Sequence, residues 1–229
     1  MNKEALTELS KYRALMYRFL GGLYIMEVDE NQLKTLKKLE FPEITGTEEA
    51  DLDLKEGYQL IKDYAASASA DDLEDLAADY ARVFLAAGDA TGRAAFPYES
   101  VYVDNKRLVG GSTEMQMKVL YLERGWEPDP NVYRTMYDNI GLMLEYMGII
   151  CDEITDAAQQ EDRDKFAKLI SEQKDFVRKH LTNWVYSFTS DVGKYAETGF
   201  YKGVARITNG FLKKETVLLQ EGDRIWDSM

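Results

Sequence analysis

His180 is the only histidine in this sequence and Cys151 the only cysteine, so few of the usual catalytic constellations can be assembled. A hydrolytic triad would have to use His180. That residue stands in Lys179-His180-Leu181 at the end of an amphipathic stretch and reads as a helix-end or packing residue. Di-iron bundles require two Glu-x-x-His pairs, and no Cys or His spacing resembles a zinc site. Gly110-Gly111-Ser112-Thr113 lacks both the first glycine and the lysine of a phosphate-binding loop. Cys151 falls on the apolar side of a helical pattern, where a thiol is buried and inert rather than activated. No catalytic residue, metal site or cofactor is therefore expected.

Carboxylates are abundant, with 41 acidic residues against 28 basic ones. Asp138 and Glu145 lie seven positions apart, a spacing of two turns along one helical face, where a solvated acidic surface is the ordinary outcome. A second feature is Pro97-Tyr98-Glu99-Ser100-Val101-Tyr102. It lies in an interval, Gly88 to about Gly111, where helical periodicity lapses over about two dozen residues, far longer than the usual connection. Disordered segments are poor in aromatic and β-branched residues, whereas this one carries Phe96, Tyr98, Val101, Tyr102 and Val103. Residue type alone leaves two readings open, a cover over neighbouring core or a binding surface.

The elements that must position these residues read as helices almost throughout. Leu6, Leu9, Met16, Phe19, Leu20 and Leu23 form one apolar stripe. Asp29 with Gln32 predicts a capping box opening a second helix, with Leu33, Leu36 and Leu39 inward. A third helix is expected over 47–65, and a fourth, capped by Asp71, carries Leu73, Leu76, Tyr80, Val83 and Phe84. After the aromatic loop, Ser112 or Thr113 starts a helix with Met115, Val119 and Leu122, closed by Gly125. Pro128 and Pro130 form a stiff connector and candidate hinge, and Asp129 is expected to cap the longest helix, in register from Val132 to about Ala158. Further helices are expected over 162–181 and 199–219. The expected architecture is all-α, a single helical-bundle domain over 1–229 of about nine to eleven helices, with halves at about 1–127 and 140–229 around a hinge at about 127–140.

A net charge of −13 disfavours nucleic acid and favours basic partners. No apolar run approaches the ~20 residues of a membrane span. Met1 to Leu9 has no hydrophobic core of a secretory signal, and a single cysteine suits a reducing compartment, so a cytoplasmic protein is expected. Twelve per cent aromatic residues and nine methionines suit an adaptable, half-buried apolar surface as well as a core.

Three segments in order, Tyr80-Ala-Arg-Val-Phe84, then Pro97 to Tyr102, then Asp138-Asn139-Ile140-Gly141 through Glu145 to Met147, resemble the TorD/DmsD family of redox-enzyme maturation chaperones. His180-Leu181-x-x-Trp184 with Phe188, and Phe200-Tyr201-Lys202-Gly203-Val204-Ala205, are similar to that family's last helices. The resemblance implies an all-helical, non-enzymatic cytoplasmic chaperone. Its client would be the catalytic subunit of a molybdopterin-dependent oxidoreductase, held by its twin-arginine leader until the cofactor is inserted. It implies a signal-peptide or client site built from Tyr80, Val83, Phe84, Pro97, Tyr98, Glu99, Ser100, Tyr102, Asp138, Asn139, Ile140 and Glu145. This chain departs from the family's Pro-Asp-His-Ile motif, with Tyr137 for proline and Asn139 for histidine, and has Met143 in place of a glutamate. An amide can still hydrogen-bond but cannot carry the proton an imidazole carries.

The carboxylates and the aromatic surface fit such a partner, since paired arginines and an apolar run are what they would accept. One alternative is a chaperone acting on the body of a non-exported, nitrate-reductase-like subunit without leader recognition. Another is a nucleotide hydrolase or other enzyme using the acidic hinge helix. A scaffold that exchanges its C-terminal half between protomers is a third, so either a monomer or a domain-swapped dimer fits.

Overall fold

The computed structural model describes residues 3–67, 72–88, 93–103 and 107–221. Ten α-helices occur among the described residues: α1 (Lys3–Ile25), α2 (Glu30–Leu36), α3 (Glu49–Ser67), α4 (Asp72–Leu85), α5 (Glu99–Val103), α6 (Ser112–Glu123), α7 (Ile140–Gln159), α8 (Arg163–Phe176), α9 (Val185–Tyr195) and α10 (Gly199–Gln220). One π-helical turn, Val177–Leu181, prolongs α8. Among the described residues the only extended pairing is an isolated antiparallel bridge between Tyr98 and Asn139, so the expected all-α class is borne out. No described helix is long and apolar enough to cross a membrane.

The chain divides into two compact units, each drawn from separated stretches. One comprises Met1–Ile25, Tyr98–Asn183 and Glu215–Met229, the other Met26–Pro97 and Trp184–Lys214.

The centre of the first unit is α7, buried on nearly all sides from Ile140 to Ala158. Helix α1 lies against it where two glycines meet. A Cβ at Gly21 would come within 2.9 Å of the Gly141 carbonyl, and one at Gly141 within 2.8 Å of the Gly21 carbonyl. Only glycine at both positions lets the backbones approach so closely. The predicted inward stripe of α1 is buried at Leu6, Met16, Leu20 and Leu23, with Leu9 and Phe19 at its margin.

One expectation in this unit is corrected. Helix α7 starts at Ile140 rather than near Val132, and its cap is Asn139, whose side chain accepts from the Gly141 amide at 2.7 Å. Asp129 instead closes a tight turn: its carbonyl accepts from the Val132 and Tyr133 amides, and its carboxylate from the Asn131 amide at 2.8 Å. Short local bonds of this kind compete with helix propagation. Helix α6 forms as expected, with the stripe of Met115, Val119 and Leu122 on its outer face. Met117 and Tyr121 are inside, while Met115, Val119 and Leu122 are about half exposed or more. Both stripes obey helical spacing, and the tie is decided by packing: the Tyr121 ring meets Trp126 at 4.8 Å and Tyr146 at 5.1 Å. The predicted Gly125 stop is present as a Schellman motif, with φ of 72° and amides of Gly125 and Trp126 bonded to the Leu122 and Tyr121 carbonyls.

In the second unit, α4, α9 and α10 share an aromatic core of Tyr80, Phe84, Phe188, Phe200 and Tyr201. The capping box of α2 is formed as expected, Gln32 amide to Asp29 at 2.7 Å and Asp29 amide to Gln32 at 2.9 Å. The helix then ends at Leu36, which leaves Leu39 exposed rather than inward. The cap expected at Asp71 lies outside the described residues. Asp79, fully buried, accepts from the amides of Glu197 and Thr198 at 3.0 and 2.8 Å and so anchors the turn that leads into α10.

Candidate functional site

Within the first unit the Tyr98–Val103 segment is an internal fixture rather than an open loop. Tyr98 is bridged to Asn139, and the Glu99 amide donates to the Asp138 carbonyl at 3.1 Å. From there the chain makes the five-residue helix α5. The Ser100 amide, in its first turn, donates to the Asp138 carboxylate at 2.9 Å, so Asp138 caps α5 from 38 residues away. Thr113 at the start of α6 donates to the same oxygen at 3.3 Å. The Ser100 hydroxyl in turn accepts from the Gly110 amide at 2.9 Å. Thr135 Oγ1 lies 3.1 Å from both the Tyr98 hydroxyl and the Asn139 amide nitrogen. One clasp thus ties α5, the start of α6 and the start of α7.

Burial decides what each predicted residue can do. Glu99, Ser100, Asp138, Asn139 and Ile140 are buried, Asp138 completely, whereas Tyr98 and Tyr102 are half-buried. Asp138 precedes the first residue of α7, so it does not share a helical face with Glu145. Its second oxygen, Oδ1, is buried without a hydrogen-bond partner. Glu145 is part-exposed and paired with Arg18 at 3.1 Å, and Arg18 also holds Asp152 at 2.6 Å. Tyr80, Val83 and Phe84 belong to the aromatic core of the second unit, with Tyr80 5.0 Å from Phe84 and Val83 O accepting from the Ala95 amide at 2.8 Å. Pro97 is a buried residue of that unit.

Residue spacing did not reveal two polar networks of the first unit. The Glu99 carboxylate, 2% exposed, meets His180 Nδ1 at 3.2 Å and the Asn183 amide at 3.3 Å. Those partners are more than eighty residues away in sequence, and no local pattern announces the contact. Arg13 is buried and forked onto Glu215 at 2.8 and 2.7 Å, with Tyr17 donating to the same carboxylate and Gln173 accepting at 2.6 Å. Burial alone would lower the Arg13 pKa, but Glu215, together with Cys151 and Tyr17, more than offsets it and holds the guanidinium above its ordinary value. Cys151 sits beside this network, and burial pushes its thiol up to about 11. That agrees with an inert thiol. Among the described residues no group of acidic, histidine or cysteine side chains could hold a metal ion.

The surface beside the clasp is apolar. Met115, Gln116, Val119, Leu120 and His180 line a shallow cavity of about 380 Å³.

Comparison with known proteins places this arrangement. The model of the nitrate reductase delta subunit family matches residues 47–190, well over half of the sequence. The chain belongs to the nitrate reductase delta subunit family. It is 25% identical over 215 residues to a protein named Chaperone protein TorD from Vibrio cholerae serotype O1, covering 93% of this chain and 94% of that one. Proteins of the same name from Shewanella pealeana and Aliivibrio salmonicida are 23% and 24% identical over 219 and 230 residues, again covering 93% of this chain and 91% and 97% of theirs. The resemblance drawn from the short motifs is thus borne out, and the family match takes in both halves of the clasp and His180.

Proposed function

We propose that the chain is a cytoplasmic chaperone for the catalytic subunit of a molybdopterin-dependent oxidoreductase. It binds the subunit's twin-arginine leader and holds the apo form until the cofactor is in place. The observation that carries this reading is similarity along 93% of the chain to proteins named Chaperone protein TorD. Physical features support it. A net charge of −13 attracts a basic leader, and the cavity floored by Met115 and Val119 offers an adaptable apolar surface. The clasp serves this role by positioning rather than contact: Asp138 and Ser100 fix the start of α6 and leave its outer face to the client. Co-expression of the client subunit with a tagged copy of this chain tests the reading. Capture of the full precursor, abolished when the leader is deleted, is the expected result.

A second reading is favoured by the family's own description as a nitrate reductase delta subunit. In it the chaperone grips the body of a non-exported subunit. Equal capture of the client with and without its leader would select that reading.

A further inference from the structure

Helix α6 presents to solvent an apolar face that the clasp holds in place. Met115, Val119 and Leu122 follow steps of four and three, forming one stripe about 10 Å long, and their exposures are 58%, 48% and 51%. The buried residues of the same helix, Met117 and Tyr121, occupy the opposite side, so this stripe is not needed for the core. Apolar surface continues beyond the helix. Leu108 is 62% exposed and Met136 38%, and the Met136 sulfur lies beside Gly110, whose amide is tied to Ser100. By contrast, Glu99, Ser100 and Val101 of the aromatic segment point inward and are 2% exposed or less.

Exposed charge at the C-terminal end of the stripe is acidic, because Arg124 there is turned inward onto Glu153 and Glu172. Glu123, Glu127 and Asp129, all exposed, follow its C-terminal end, and Glu114 stands at its start. Lys118 of the same helix is drawn over the Tyr137 ring at 5.3 Å. An apolar stripe with an acidic end suits a helical guest whose apolar run is preceded by basic residues.

Resting on the function proposed above, we infer that the α6 face is the docking surface for the apolar run of the client's leader, packed as a helix along Met115, Val119 and Leu122 with its basic residues toward Glu123, Glu127 and Asp129. The methionine and the shallow cavity beside His180 let the surface accept leaders of different apolar sequence.

Fluorescence anisotropy tests this with a labelled synthetic leader carrying the arginine pair and the apolar run, and with a shorter peptide that stops after the arginines. Val119→Gln with Leu122→Gln changes only exposed side chains. It is expected to weaken the long peptide at least about ten-fold and leave the short one unchanged. Leu85→Gln, an equally exposed apolar site on α4, is the control and is expected to bind as wild type. Should the double variant fail to fold by circular dichroism, Glu123→Lys with Glu127→Lys replaces it, with an expected loss of affinity and a flatter salt dependence. If wild type binds the long peptide and the α6 variants bind it equally well, the inference is overturned while the proposed function stands. If wild type does not bind it, both fall. Concentration-dependent dimerisation abolished by the α6 variants, with peptide binding intact, would assign the face to a second copy and overturn the inference as well.

Discussion

Replacing Asp138 by alanine and by asparagine separates its structural role from the charge it carries. Both changes remove a fully buried carboxylate, so the cost of desolvating that charge cancels between them. What differs is the acceptor. Asparagine keeps an oxygen within reach of the Ser100 amide, 2.9 Å away in the native protein, whereas alanine leaves that buried donor unsatisfied. An orphaned buried donor costs about 1–3 kcal/mol; the long bond from Thr113, at 3.3 Å, adds little. Asp138→Ala is therefore expected to be about 1–3 kcal/mol less stable than Asp138→Asn. In urea, followed by far-ultraviolet circular dichroism, that is a midpoint lower by roughly 0.5–1 M with unchanged slope. Equal midpoints for the two variants would refute the view that Asp138 works by capping α5.

Other perturbations follow from the same contacts. Arg13→Met leaves Glu215 buried without its cation and is expected to cost about 3–5 kcal/mol, much of it recovered in the double change with Glu215→Met; chemical denaturation of both variants checks this. Cys151 is expected to resist a thiol reagent at pH 8 in the native protein and to react once denatured. Its folded-state pKa of about 11 lies above the ordinary 9.0, so the contribution it makes is complete below pH 9 and is lost as pH rises through about 11; alkaline unfolding measured in wild type and Cys151→Ala would show the smaller loss in the variant. Gly141→Ala would set a Cβ 2.8 Å from the Gly21 carbonyl and 2.7 Å from the Ile25 Cβ. The backbones of α1 and α7 must then part, and a thermal melt is expected to show a loss of about 1–3 kcal/mol.

Helix existence was readable because apolar spacing is a local property: the capping box of α2, the Gly125 stop and the inward stripe of α1 all rest on residues within a few positions of one another. Which face of a helix is buried is not local. In α6 two apolar stripes were equally periodic, and the packing of the Tyr121 ring against Tyr146, 25 residues away, decided between them. The start of α7 was misplaced because Val132 and Met136 continue its spacing, although the turn at Asp129 is not propagated and Asn139 caps the helix. Both the Tyr98 and the Asp138 segments were singled out, but the direction of their side chains was not legible: a sequence shows that Asp138 is acidic, not that the Ser100 amide claims it. Glu99 with His180, and Arg13 with Glu215, join residues 81 and 202 apart, separations at which no periodicity carries information.

Calorimetric titration of the purified chain with a twin-arginine leader peptide tests the proposed function most directly. Binding at tens of micromolar or tighter is expected, weakened when both arginines become glutamine and weakened further when the apolar run is made polar. No heat of binding to the intact leader under conditions where the protein is folded would contradict leader recognition.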